Sequence, residues 1–223
     1  MKAKADSIDT SPLVVIVDDD ESMRDSMADV FRSIGTETAT FKSIPELLAA
    51  NLPDRPGCLV LDVRLPGMSG LEFQASLAGS NVELPIVFVT GYGDVPMTVK
   101  AMKAGAVDFL QKPFRDQDIL DAVSSAVEKD RIRRAGQAAT DEISALASML
   151  SPREHQVMQA VVEGNLNKQI AFQLGLSEIT VKIHRGNVMR KMKAASVPEL
   201  VRKTEILKGV RPQARADTDA PAN

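Results

Sequence analysis

The first half of the chain alternates between two hydrophobic rhythms. Leu13 to Val17 is an unbroken aliphatic run that stops at Asp18, Asp19 and Asp20. A run apolar at every position suits a strand buried on both faces. Met23, Met27, Val30, Phe31 and Ile34 then recur at helical spacing, and Gly35 ends that helix. The same alternation continues. Strands are predicted at Glu37 to Phe41, Cys58 to Leu61, Ile86 to Val89 and Val107 to Leu110. Helices are predicted at Ile44 to Leu52, Leu71 to Leu77, Val95 to Ala104 and from Arg115 through at least Val127. Five strands separated by helical patterns imply a parallel sheet covered on both faces, a flavodoxin-like doubly wound α/β domain. Ligands of such sheets bind at the carboxyl ends of the strands.

Residues 129–147 read as a linker, helical in continuation of the fifth helix, although Gly136 interrupts the pattern. From Ser151 the pattern is all-α. Ser151-Pro152-Arg153-Glu154 offers an N-cap, a proline at the first helical position and an acid at the third. Four helices follow: one to Glu163, a short one over Asn167 to Leu174, one from Ser177 to about Met192, and one over Val197 to Leu207. In the third, Ile179, Ile183, Val188 and Met192 are expected to form the buried side, with Thr180, Lys182, Arg185 and Arg190 elsewhere. Residues 209–223 are rich in Pro, Ala and polar residues and are expected to be a disordered tail.

Composition removes several classes. No apolar stretch approaches the ~18 residues of a membrane helix, and Met1 to Pro12 has no apolar run that could serve as a signal segment. A cytoplasmic protein with no membrane partner is the expectation. Cys58 is the single cysteine, and His155 and His184 are the only histidines, which excludes a disulfide framework and a His- or Cys-based metal centre. The net charge of −3 argues weakly against nucleic acid, but it conceals a division. Residues 11–128 hold nine Lys and Arg against eighteen Asp and Glu, a net −9. Residues 151–208 hold ten Lys and Arg against five Glu, a net +5. A basic module with a short helix, a Gly turn and a longer basic helix suits helix-turn-helix binding of duplex DNA.

The acidic half carries the candidate chemistry. The first strand delivers Asp18 and Asp19, the third Asp62, the fourth Thr90, and the fifth leads to Lys112, all at one sheet edge. Converging carboxylates repel unless a cation lies between them. Hard oxygen donors suit Mg²⁺. Lys112 adds a compact positive charge and Thr90 a hydroxyl for an anion beside the metal. Together these make a site for phosphoryl transfer onto a carboxylate. Asp20 reads instead as a helix cap.

Val17-Asp18-Asp19, Leu61-Asp62 with Leu65-Pro66-Gly67-Met68-Ser69-Gly70, Val89-Thr90-Gly91 and Lys112-Pro113-Phe114 resemble, in that order, the receiver domain of two-component response regulators. The likeness covers residues 11–128. Ser151-Pro152-Arg153-Glu154, Asn167-Lys168-Gln169-Ile170-Ala171, Leu174 to Lys182 and His184-Arg185 resemble the LuxR-type output domain, over residues 148–208. The whole chain resembles the FixJ subfamily, as Gly91-Tyr92-Gly93-Asp94-Val95-Pro96-Met97 also suggests.

The resemblance implies that Asp62 accepts a phosphoryl group from a sensor histidine kinase and that Asp18, Asp19, Asp62 and the backbone oxygen of Arg64 hold Mg²⁺. It implies that Thr90 and Lys112 hold the phosphoryl oxygens, that Lys112-Pro113 is cis, and that Phe109 is an aromatic switch. Arg64 and Tyr92 stand where the family tunes dephosphorylation. Lys168 would touch phosphate, Glu178, Val181, Lys182 and Arg185 would face the groove, and Thr180 and Arg190 fall where they can reach DNA. The implied function is a phosphorylation-dependent regulator of transcription, an activator that forms a homodimer, binds promoter DNA and meets RNA polymerase. Its only catalysis would be its own phosphorylation and dephosphorylation. Two rivals stand beside it. An aspartate phosphatase would need a second carboxylate two residues after Asp62, where Arg64 stands. A constitutive DNA-binding regulator would carry a silent receiver, but the receiver set lacks none of its key residues.

Overall fold

The computed structural model describes residues 11–77 and 84–209. Chain contacts divide it between Arg134 and Ala135 into two compact units.

The first unit holds a five-stranded parallel sheet: β1 (Leu13–Val17), β2 (Glu37–Phe41), β3 (Gly57–Asp62), β4 (Ile86–Thr90) and β5 (Asp108–Gln111). Their spatial order is β2-β1-β3-β4-β5, the flavodoxin-like arrangement expected. The intervening helices are α1 (Glu21–Ser33), α2 (Ile44–Ala49), α3 (Gly70–Ser76), α4 (Val95–Lys103) and α5 (Asp116–Ser148). The aliphatic strands are buried on both faces, as their unbroken hydrophobicity requires. Val14, Ile16, Val60 and Val89 pack under Met27 and Phe31 of α1 and Ile119 and Val123 of α5. Val15, Val17, Leu59 and Phe88 face Ile44 of α2, Phe73 of α3 and Ala101 of α4. Burial pushes the Cys58 thiol, inside the first layer, up to about 12, so it stays protonated.

The helix starts are set by side chains. Asp20 caps α1 by accepting the Met23 N–H, as expected of it, and Asp94 caps α4 through the Met97 N–H. Ser69 and Glu72 form a capping box at α3. Many element ends differ from the sequence expectation by one residue, and two elements differ notably. α2 ends at Ala49 rather than Leu52, and β5 is displaced by one residue, ending at Gln111 just before Lys112.

Helix α5 runs through Gly136 without a break. One internal glycine costs only about 1 kcal/mol relative to alanine, and the turns on both sides are anchored. On the first unit's side the apolar stripe Ile119, Ala122, Val123, Ala126, Val127 ends on Asp130, which is fully buried. One Asp130 oxygen accepts the Gly57 N–H at 3.0 Å and Arg134 Nε at 2.7 Å, and the other accepts Arg133 Nη2 at 2.7 Å. Arg134 also pairs with Asp54. The start of β3 is thereby tied to α5.

The second unit packs the end of α5 with α6 (Pro152–Val162), α7 (Asn167–Leu174), α8 (Glu178–Lys191) and α9 (Val197–Gly209). Its core joins Ile143, Leu146 and Leu150 to Val157, Ile170, Val181, Val188 and Leu200. Ser151 and Glu154 form the expected capping box. Glu154 is buried and accepts Lys191 Nζ at 2.6 Å, so α6 is bonded to the end of α8. Gly175 closes α7 in the left-handed conformation, with φ of 64°. Apart from Gly209, which ends α9, the expected tail lies outside the described residues.

Asp130→Ala removes the acceptor of the Gly57 N–H and one carboxylate partner of each of two arginines, and should destabilise the first unit by about 3 kcal/mol in urea denaturation. The hydrogen bond from Lys191, with that from the Ser151 N–H, holds the Glu154 carboxyl down to about 2, against an ordinary 4.5. Its stabilising effect is therefore complete above pH 4.5 and is lost as pH falls toward 2. Glu154→Gln should weaken amide-exchange protection of α6 to α9 at neutral pH, and the difference from wild type should vanish near the bottom of that window.

Candidate functional site

Strand register builds the site. β1 and β3 pair Leu13 with Gly57 and Val17 with Leu61, so one step further Asp18 comes beside Asp62. β4 pairs with β3 through Val89 and Asp62, which brings Thr90 one residue past that pair. Beyond β5 the Lys112 N–H donates to the Thr90 carbonyl at 2.8 Å, and the Lys112-Pro113 peptide is cis, as expected. Four strand ends thus bring five side chains from distant parts of the sequence to one edge.

Lys112 lies between the two carboxylates. Its Nζ is 2.5 Å from Asp18 Oδ2 and 2.7 Å from Asp62 Oδ2. The remaining oxygens accept backbone N–H groups, Asp18 Oδ1 from Asp20 at 3.0 Å and Asp62 Oδ1 from Arg64 at 2.9 Å. Asp18 is fully buried and Asp62 nearly so, whereas Asp19 is exposed. Burial raises the Asp18 carboxyl above the ordinary carboxylate range, more than the Lys112 hydrogen bond lowers it. Burial works against the Lys112 charge as well, but the hydrogen bonds it donates to Asp18 and Asp62, together with their negative charges, outweigh it, and the ammonium is held above its ordinary range.

Asp18, Asp19 and Asp62 can each offer a carboxylate oxygen, and these oxygens lie within 4.8 Å of one another. Three hard anionic donors, one of them open to solvent, fit Mg²⁺, which keeps several waters and takes only a few carboxylates. The ammonium meanwhile supplies the positive charge that the converging carboxylates require.

The surroundings add features not anticipated from the sequence. Arg24 Nη1 donates to the Asp18 carbonyl at 2.7 Å, fixing the strand end that carries the acids. Gly70 must be glycine, because a Cβ there would meet the Asp62 carbonyl oxygen at 2.5 Å. A Cβ on Gly93 would meet the Phe109 ring at 2.9 Å, so this glycine makes room for that ring beside Thr90. Phe109 is half-buried and also faces Phe88 at a centroid distance of 6.2 Å. Thr90 Oγ1 accepts the Tyr92 N–H at 3.3 Å. The Arg64 guanidinium stacks over the Tyr92 ring, 4.6 Å from its centroid, so the two residues flanking the acidic pocket touch each other.

In the second unit, Lys168, Glu178, Lys182 and Arg190 are exposed and Thr180 is half-buried. Thr180 donates its N–H to the Ser177 cap at 3.1 Å. Arg185 is half-buried and its Nη1 donates to Asn167 Oδ1 at 2.9 Å, joining α8 to the start of α7. Two expectations for α8 are corrected. Val181, expected to face DNA, is fully buried in the helical core with Val188 and Met192. Ile179 and Ile183, expected in that core, are 74% and 60% exposed. Val181, Val188 and Met192 follow one helical stripe, and Ile179 and Ile183 lie on the opposite one.

Comparison with known proteins gives concordant results for both units. Residues 14–124 match the family model of the response regulator receiver domain, and residues 148–204 that of the luxR family of bacterial regulatory proteins. The chain is 55% identical over 198 residues to nodulation protein W of Bradyrhizobium diazoefficiens, covering 89% of this chain and 87% of that protein. It is 45% identical to transcriptional regulatory protein FixJ of Rhizobium meliloti, over 86% of this chain and 95% of that one. A solved structure of the response regulator StyR superposes with a TM-score of 0.79 at 46% identity, covering 87% of this chain and 98% of that chain.

The bridging ammonium competes with any metal for the same two carboxylates. Lys112→Met should therefore strengthen Mg²⁺ binding by about tenfold in calorimetric titration, the order expected for removing one nearby charge in a partly screened site. Unchanged affinity would mean that the ammonium and the metal do not share these oxygens.

Proposed function

The chain belongs to the two-component response regulators that join a receiver to a LuxR-type DNA-binding domain, and from that membership we propose that phosphorylation of Asp62 controls its binding to promoter DNA. The observation that carries this reading is the Lys112 ammonium held between Asp18 and Asp62 at the carboxyl edge of the sheet.

An Asp62 carboxylate oxygen attacks the phosphorus of a phosphohistidine on a sensor kinase. The new O–P bond forms as the P–N bond breaks, and the leaving imidazole keeps the electron pair and takes up a proton. Asp18, Asp19, Asp62 and the backbone oxygen of Arg64 would hold Mg²⁺. A bound Mg²⁺ supplies the positive charge that offsets the phosphoryl oxygens. Lys112 Nζ moves its hydrogen bond from the Asp62 carboxylate to a phosphoryl oxygen, and Thr90 Oγ1 turns from the Tyr92 backbone to another. The shift of Thr90 frees the space into which the Phe109 ring, now beside Gly93, turns inward. The receiver then favours a form that pairs with a second copy through α4 and β5.

In the output unit, Lys168, Lys182, Arg185 and Arg190 contact phosphates or base edges, Glu178 and Thr180 lie at the groove, and Arg185 also joins α8 to α7 through Asn167. Dimerisation places two such units on a two-fold DNA site. The protein acts in the cytoplasm as an activator that contacts RNA polymerase.

With beryllofluoride and Mg²⁺, the wild-type chain should dimerise in sedimentation and bind duplex DNA about tenfold or more tightly than without them, within the usual range of such couplings. Asp62→Asn should do neither. A wild-type chain whose mass and DNA affinity are unchanged by beryllofluoride would contradict the gating.

A further inference from the structure

Helix α8 is basic, with Lys182, Arg185, Arg190 and Lys191 against one acid, Glu178. In the middle of this charge stand Ile179 and Ile183, 74% and 60% exposed. Residues four apart on a helix are separated by roughly 40° around its axis, so the two form one stripe. The stripe lies opposite the core residues Val181 and Val188, which are 0% and 1% exposed. It runs on to Gly186, where a Cβ would have nothing within 4 Å, and to the exposed Arg190. Two large aliphatic side chains offered to water on a short helix lose free energy unless something covers them.

We infer that Ile179 and Ile183 are specificity residues that read thymine 5-methyl groups in the major groove of duplex DNA. This rests on the DNA-binding reading of the output unit. Charge complementarity selects the occupant. The apolar stripe is bordered by Lys182 and continued by Arg190, cations suited to the phosphates on either side of a groove. The major groove is wide enough for a helix, and the thymine methyl is the one apolar group that the bases present there. Gly186, next on the same face, removes a side chain where the helix would otherwise be held away from the base edges. The stripe thus contributes direct readout, and the neighbouring cations contribute register and affinity.

The test uses the full-length chain, activated with beryllofluoride and Mg²⁺, and a randomised duplex library. Rounds of binding selection should enrich a motif with thymine at fixed positions. The enriched duplex remade with deoxyuridine at those positions, which lacks only the methyl, should bind wild type about fourfold more weakly for each contacted methyl, as burial of one such group implies. Ile179→Ala and Ile183→Ala should each lose part of this discrimination while keeping salt-dependent binding and wild-type helicity. Equal wild-type affinity for the thymine and uracil duplexes overturns the inference without using a variant. Alanine variants that keep the full methyl preference also overturn it and assign the stripe to a protein contact. Failure of the wild type to enrich any motif overturns the DNA reading itself, and the inference falls with it.

Discussion

One ammonium between two carboxylates organises the acidic edge of this protein. Asp18 and Asp62 are brought side by side by the β1–β3 register, and both are buried. Two buried like charges at that separation are not tolerated without a cation. Lys112 meets the requirement from the end of β5, and its own N–H is bonded to the Thr90 carbonyl. The strands β1, β3, β4 and β5 are therefore coupled at a single point. Whatever neutralises the carboxylates in place of the ammonium also frees the Lys112 side chain to bind another anion at this edge. That is the physical basis for reading the site as a switch rather than as a static ion pair.

The rest of the first unit holds this edge in place. Both faces of the sheet are filled with aliphatic side chains, so the strand ends have little freedom. Arg24 fixes the Asp18 carbonyl, and the missing Cβ of Gly70 lets α3 approach the Asp62 carbonyl. At the opposite edge, Asp130 binds the Gly57 N–H and anchors α5 to the start of the strand that ends in Asp62.

Much of this was legible in the sequence. Unbroken aliphatic runs that stop at Asp18, Asp62 and Thr90 identify buried parallel strands and their functional ends. What was not legible depended on choosing between faces. In α8, Ile179 and Ile183 share one stripe and Val181, Val188 and Met192 another, and hydropathy alone favours neither. Packing decides: the second stripe meets α6 and α7, and the first continues into Gly186 and Arg190, which no core would select. Asp130 did leave a signal, since it ends the apolar stripe of α5 at the same helical spacing. Its partner, a backbone N–H distant in sequence, could come only from the fold. The stacking of Arg64 on Tyr92 is of the same kind, because it joins two loops that the sheet places side by side.

The charge division has the same origin as the two structural units. The acidic half gathers carboxylates at the carboxyl edge of its sheet, and the basic half carries cations along α8. The central claim is that Asp62 is the group modified. It is tested most directly by incubating the chain with a phosphohistidine donor and Mg²⁺, trapping with borohydride and sequencing the peptides by mass spectrometry. Asp62, and no other residue, should be converted to homoserine; reduction at Asp18 or Asp19, or at no residue, would show that Asp62 is not the acceptor.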